Sequence, residues 1–190
     1  MSSGLTAGFM LDRQWHWLRG EMETTKKPAL LSLARLLDES RTPYAIIGGI
    51  AVQIHHPEPR TTLDIDLAVL SRAAIPAEEL RAAGFERTGS FEHSENWIAA
   101  DGTPVQFTDD PRLSAAVTSA GEIVVDGVTV RVIGPVDLLH EKIRAGSDPA
   151  RRRSKRLQDL ADAEALLEAN PELTRHLSAG ERAVLDQLPR

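Results

Sequence analysis

Asp64 and Asp66 are separated by a single apolar residue, Ile65. In an extended strand alternate side chains share a face, so both carboxylates point one way while Ile65 enters the opposite layer. Their Cα atoms then lie about 6.5 to 7 Å apart. Carboxylates at that spacing can share hard divalent cations such as Mg²⁺, which prefer oxygen ligands. Two such ions can clamp the attacking and leaving oxygens of a phosphoryl transfer. The same acids would equally suit a strand end paired with basic side chains. A D-x-D alone leaves both readings open.

Gly48-Gly49 adds a second element. The pair follows the apolar run Tyr44-Ala45-Ile46-Ile47 and precedes a short helical pattern, Ile50 to His56, stopped by Pro57 and Pro59. Glycine allows the backbone to approach a phosphate closely, and free N–H groups at a helix start favour anions. A tight turn without any ligand would use the same two glycines. Together, however, strand, diglycine turn, helix and acid-bearing strand provide one element to cradle a triphosphate and another to hold a metal.

Charge is unevenly distributed. The net charge is −6, yet Lys142, Arg144, Arg151, Arg152, Arg153, Lys155 and Arg156 face Asp148 alone, a local balance of +6. Such a block is a phosphate-facing patch or a solvated helix face.

The elements that must position these residues alternate early and become helical late. Helical patterns cover Met10 to Met22 and the stretch after Lys26-Lys27, where Pro28 suits a first helical turn. Leu63 to Leu70, Ser90 to Ala100 and Pro104 to Phe107 are predicted strands, with a turn at Asp101-Gly102. Ile123 to Val125 and Val128 to Ile133 flank Asp126-Gly127, a strong hairpin signal. Pro76 to Ala83 is a predicted helix, and from Pro135 onward the pattern is helical, broken near Gly146 to Pro149, at Pro171 and at Gly180. The expected class is α/β (α+β), a mixed sheet flanked by helices with a helical C-terminal part. Its expected division is 1–134 and 135–190.

Composition excludes several classes. With 190 residues, 42% hydrophobic and 26% charged, the chain is ordinary globular material of about one domain. Zero cysteines exclude a disulfide framework, a Cys-type zinc site and a thiol nucleophile, and fit a cytoplasmic location. No apolar run approaches the roughly 18 residues of a membrane span, and the N-terminus lacks a signal-peptide pattern.

The run I-I-G-G-I-A-V followed by R-T-T-L-D-I-D-L resembles the DNA polymerase β-type nucleotidyltransferase superfamily. The likeness is greatest to the AbiEii/MenT-type toxins of bacterial toxin–antitoxin systems. Those share the G-G-x-A turn, the R-x-T-x-D-x-D approach, and a later Lys followed by Arg and Asp. Here the later part is P-V-D-L-L-H-E-K-I-R-A, then R-R-R-S-K-R-L-Q-D-L-A-D, so the likeness spans Tyr44 to Asp162.

The resemblance implies a nucleotidyltransferase fold and a Mg²⁺-dependent (or Mn²⁺-dependent) nucleotidyltransferase acting on an NTP. It implies that Gly48 and Gly49 contact the phosphates and that Asp64 and Asp66 bind the metal. Lys142 would meet the triphosphate and Asp159 would complete the active site as an orienting group or base. Arg60 and Thr62 would flank the metal strand on the nucleotide side. The implied acceptor is RNA, notably the 3′ end of tRNA, with Arg151, Arg152 and Arg153 as candidate RNA contacts and an antitoxin protein as a partner.

Two departures accompany it. Fourteen residues separate Gly49 from Asp64, slightly more than usual in the superfamily. Gln106, in Pro104-Val105-Gln106-Phe107, stands where many members carry a third carboxylate. A carboxamide cannot act as a general base, so that task falls to Asp159, to Asp109 or Asp110, or to metal activation alone, unless catalysis is impaired. Other readings are a small-molecule (aminoglycoside-like) nucleotidyltransferase and a nucleotide-binding protein without turnover. His55 and His56 are expected as an exposed or capping pair, Trp97 as a core aromatic, and Trp15 and Trp17 as packing residues of the N-terminal helix.

Overall fold

The structure is a computed structural model and describes residues 3–18, 25–58 and 61–188. It divides into two compact units, Met1–Ile133 and Gly134–Arg190.

The first unit is built on one seven-stranded sheet. Its strands are β1 (Tyr44–Ile46), β2 (Ile65–Val69), β3 (Glu86–Ser90), β4 (Ser94–Ile98), β5 (Pro104–Thr108), β6 (Gly121–Val125) and β7 (Val128–Val132), in the order β3-β4-β5-β2-β1-β7-β6. The sheet is mixed: β1 is antiparallel to β2 but parallel to β7, and β2 is parallel to β5. Registers Ile46↔Leu67 and Leu67↔Phe107 carry one apolar face across the centre. Tyr44, Ile46, Ile65, Leu67, Val105, Phe107 and Trp97 on that face are all buried. The opposite face is small at its centre, with Ala45 beside Ala68, and becomes polar toward β5 and β4.

Helices α1 (Ser3–Leu18), α2 (Lys27–Glu39), α3 (Gly48–His55), α4 (Ala77–Ala82) and α5 (Ser114–Thr118) accompany the sheet. Helix α2 has Pro28 in its first turn and buries Ala29, Leu30, Leu33, Ala34 and Leu37, a stripe recurring every three or four residues. Each fully buried leucine there contributes about 1.5–3 kcal/mol relative to exposure. Helix α1 lies against α3 at backbone distance, because Cβ atoms at Gly4 and Gly8 would collide with Gln53. The β6–β7 hairpin turns on Asp126 and Gly127, both at positive φ, as the Asp-Gly signal predicts.

The second unit contains α6 (Pro135–Ser147), α7 (Arg153–Ala169), a 3₁₀ segment (Pro171–His176) and α8 (Ala179–Leu185). Leu139, Ile143, Leu160, Ala163, Leu173, Leu177 and Leu185 form its core. Gly146 permits α6 and α7 to approach, since a Cβ there would collide with Leu160. Ser178 and Glu181 close a capping box on α8.

Three expectations change. The N-terminal helix starts at Ser3 rather than Met10, and its expected end at Met22 lies outside the described residues. The expected strand from Ser90 to Ala100 begins at Ser94, and the preceding edge strand β3, E-R-T-G-S, has no apolar alternation to announce it. Strand β2 starts at Ile65, so Asp64 occupies the bend before it. Among the described residues no helix is long and apolar enough to cross a membrane.

Candidate functional site

The diglycine turn and the acid-bearing strand meet. Ile47 donates its N–H to the carbonyl of Asp66 at 2.9 Å, fixing the end of β1 against β2. Gly48 then takes φ +63°, a left-handed conformation that glycine adopts without cost. A Cβ at position 48 would overlap the Asp66 carboxylate and lie only 2.9 Å from its Cβ. Close approach and backbone conformation therefore both require glycine there. Gly49 is buried in the first turn of α3, whose N-cap residue Ile47 supplies no side-chain cap. The N-terminal N–H groups of α3 thus begin beside the Asp66 side chain, where a phosphate would find donors.

Asp64 and Asp66 are both half-buried. Thr62 is buried and donates its hydroxyl to Asp64 Oδ1 at 2.9 Å, which orients that carboxylate at the bend. Buried Lys26 is ion-paired with Asp12 of α1. Burial pushes its ammonium down, partly offset by Asp12 and by the nearby charge of Asp64. Arg60 lies outside the described residues.

Gln106 stands directly opposite Asp66, in the register Asp66↔Gln106. The amide of Gln106 donates to Asn96 Oδ1 at 3.2 Å on the next strand. Asp109 is at the far end of β5 and pairs with Arg72 at 2.9 Å. Burial raises its carboxyl, but Arg72 outweighs this and holds it below the usual range. Asp110 caps the following 3₁₀ turn and grips Arg112. In register terms Asp109 lies three positions beyond Gln106, the partner of Asp66, roughly 10 Å along the strand. Both acids are therefore occupied away from the Asp64–Asp66 pair.

In the second unit, Lys142 is buried and bridges Asp159 at 3.0 Å and Asp162 at 2.7 Å. Arg151 takes the other Asp159 oxygen at 2.8 Å. Asp162 joins this cluster although it was not singled out as a site residue. It lies three residues beyond Asp159, hence on the same face of α7. The basic block is thus not one uniform patch. Lys142 and Arg151 are engaged by carboxylates, and Arg144 by Glu141. Arg152, Arg153 and Lys155 are exposed and form no ion pair among the described residues.

Trp97 is buried, donates to Glu95 at 2.8 Å and lies under Arg81, so it is a core aromatic. His55 is half-buried and bonded to the Ile133 carbonyl at 2.7 Å, whereas His56 caps α3 and accepts from the Glu58 N–H. The side chains of Trp15 and Trp17 lie outside the described residues.

Among the described residues no cluster of three or more His, Asp or Glu is arranged for a metal. Two half-buried carboxylates nevertheless fit Mg²⁺, which usually takes one or two protein carboxylates and completes its octahedron with water and substrate phosphates.

A mixed sheet joined through a diglycine turn to an acid-bearing strand defines the nucleotidyltransferase fold. Solved structures share it. An antigenic nucleotidyltransferase-like protein from Paracoccidioides brasiliensis is 21% identical, with TM-score 0.55 over 84% of this chain and 91% of its own. The antibiotic-resistance factor ANT(2'')-Ia is 16% identical, with TM-score 0.57 over 83% and 92%. The lincosamide antibiotic adenylyltransferase LnuA is 12% identical, with TM-score 0.53 over 76% and 98%. No curated protein sequence matches the chain. The family model described as "Nucleotidyl transferase AbiEii toxin, Type IV TA system" matches residues 31–188, and the chain belongs to that nucleotidyltransferase family.

Proposed function

We propose that the chain transfers a nucleoside monophosphate from an NTP to a ribose hydroxyl of RNA, at the 3′ end of tRNA. In this reading it acts in the cytoplasm as the toxin of a toxin–antitoxin pair and is restrained by an antitoxin protein. The observation that carries the reading is the apposition of Gly48 with the Asp66 carboxylate at the start of α3. A triphosphate placed there meets backbone donors on one side and the carboxylates on the other.

Asp64 and Asp66 are the residues that would hold Mg²⁺ or Mn²⁺. An ion held there would neutralise phosphate charge in a loose phosphoryl transition state. Thr62 holds Asp64 in place, and Gly48 and Gly49 admit the phosphates. The acceptor oxygen bonds to the α-phosphorus as the bond to the β-phosphate oxygen breaks. Pyrophosphate leaves with that electron pair, and the hydroxyl proton passes to water. Asp159, with both oxygens engaged by cations, is assigned orientation of Lys142 and Arg151 rather than proton uptake. Lys142 is assigned to the triphosphate, as the family resemblance implies. Exposed Arg152 and Arg153 suit the RNA backbone, and such contacts position without reading sequence.

A second reading replaces RNA by a cationic, aminoglycoside-like molecule, which the net charge of −6 would favour. Incubation with each labelled NTP, Mg²⁺ and total tRNA separates the two. Label on RNA, abolished by Asp64→Ala, is expected. Label on an aminoglycoside but not on RNA selects the second reading. Nucleotide binding with no product under any condition leaves a protein without turnover.

A further inference from the structure

The face of the sheet that carries Asp66 continues as a row of amides. Asp66 stands opposite Gln106 on β5, and Gln106 stands opposite Asn96 on β4. Neighbouring strands lie about 4.8 Å apart, so the three side chains form a continuous strip about 10 Å long. The Gln106 amide spends one N–H on Asn96 Oδ1. The Gln106 carbonyl oxygen, its second N–H and the Asn96 amino group have no protein partner among the described residues. Gln106 is exposed and Asn96 half-exposed, so this capacity faces outward.

The strip is uncharged beyond Asp66. On this face β4 shows Ser94, Asn96 and Ile98, and β5 shows Pro104, Gln106 and Thr108. The one acid of β4, Glu95, is on the opposite face, buried and bonded to Trp97. Glu86 of β3 shares the amide face opposite Ile98, three strand spacings or roughly 14 Å from β2.

Resting on the nucleotidyltransferase reading above, we infer that Gln106 and Asn96 form the acceptor subsite and select a neutral hydroxyl-bearing group on a polyanion, the terminal ribose of RNA, over a polyamine. A carboxamide both donates and accepts, as a ribose hydroxyl does. It offers no charge to an ammonium group and no repulsion to a nearby phosphate. A carboxylate on this strip would do the reverse on both counts. Gln106 is then a positioning residue, selected for neutrality, rather than the remnant of a lost third carboxylate.

The test compares the wild type with Gln106→Glu and Asn96→Asp. NTP affinity is measured by calorimetry with Mg²⁺, folding by thermal unfolding, and steady-state transfer with an RNA 3′ end or an aminoglycoside as acceptor. Expected is a KM for RNA raised at least tenfold in Gln106→Glu, beyond any change in its NTP affinity, and a smaller effect in Asn96→Asp. The ratio of aminoglycoside to RNA transfer should rise in both. A rise in kcat with unchanged KM for RNA would show that a missing carboxylate has been restored, and would overturn the inference. Unchanged kinetics in both folded variants would overturn it too. A wild type that binds NTP but labels only the aminoglycoside removes the acceptor assignment while sparing the nucleotide site. A wild type that binds no NTP removes the underlying functional reading as well.

Discussion

Gly48 and Asp66 are bound by sterics as well as by a shared strand pair: the glycine Cα lies where any side chain would strike the Asp66 carboxylate. The hydrogen bond from Ile47 to the Asp66 carbonyl prevents the two strands from separating to make room. Position 48 also sits at φ +63°. Gly48→Ala therefore faces left-handed strain, about 1–2 kcal/mol for a residue with a Cβ, and displacement of Asp66. The expected outcome is a lower midpoint in thermal unfolding and a loss of transfer of at least a hundredfold. A variant with wild-type turnover would separate the diglycine turn from the chemistry.

Thr62, just before the bend that precedes β2, donates its hydroxyl to Asp64. A hydrogen bond to a charged group is worth about 1.5–3 kcal/mol, and here it orients a carboxylate that no strand geometry fixes. Thr62→Val should reduce transfer about tenfold or more by that measure, and raise the Mg²⁺ concentration needed for half-maximal rate. Thr62→Ser retains the hydroxyl and should recover most of both. Equal rates for Val and Ser would show that Asp64 needs no such support.

What was legible in the chain follows from how local each signal is. The diglycine turn, the Asp126-Gly127 hairpin and helix α2 are dictated by neighbours within a few residues, and they occur where the residue types require. Gln106 was located through the family resemblance, as the residue standing where many members carry a third carboxylate, and the sheet register sets it opposite Asp66. Gly84-Phe85 signals a return to the sheet, but the extent of β3 was not legible because an exposed edge strand needs no apolar alternation. Asn96 and Asp162 gained meaning only through partners distant in sequence, Gln106 and Lys142. Lys142 looked like one cation of a basic block, but nothing local to it could reveal burial between two acids.

That burial has a cost if it is broken. Lys142, Asp159 and Asp162 have side chains only 7%, 6% and 3% exposed. Removing one partner of such a set typically costs about 3–5 kcal/mol, because an uncompensated charge stays behind. Lys142→Met is thus expected to lower unfolding free energy by an amount of that order, measured in urea. Lys142→Met combined with Asp162→Leu should recover part of the loss, since the two positions couple through one contact. Strict additivity would mean that the pair makes no joint contribution. Any loss of transfer in Lys142→Met must accordingly be measured at a temperature where the variant remains folded.

His55 provides a pH-dependent prediction. Burial pushes its imidazole below the ordinary value of 6.5, and the bond to the Ile133 carbonyl only partly offsets this. The folded protein therefore keeps His55 neutral at a pH where the unfolded chain has begun to bind a proton. Stability from this group is complete above pH 6.5 and falls as the pH drops below it. The loss levels off once the pH passes beneath the lowered folded-state value. Between pH 7.5 and pH 5 (about the range in which histidines titrate), the unfolding midpoint of the wild type should fall more steeply than that of His55→Gln. The glutamine amide can still donate to the Ile133 carbonyl but cannot take up a proton. Parallel pH profiles for the two proteins would show that His55 carries no share of the acid sensitivity. A steeper profile for the variant would reverse the direction assigned to the imidazole.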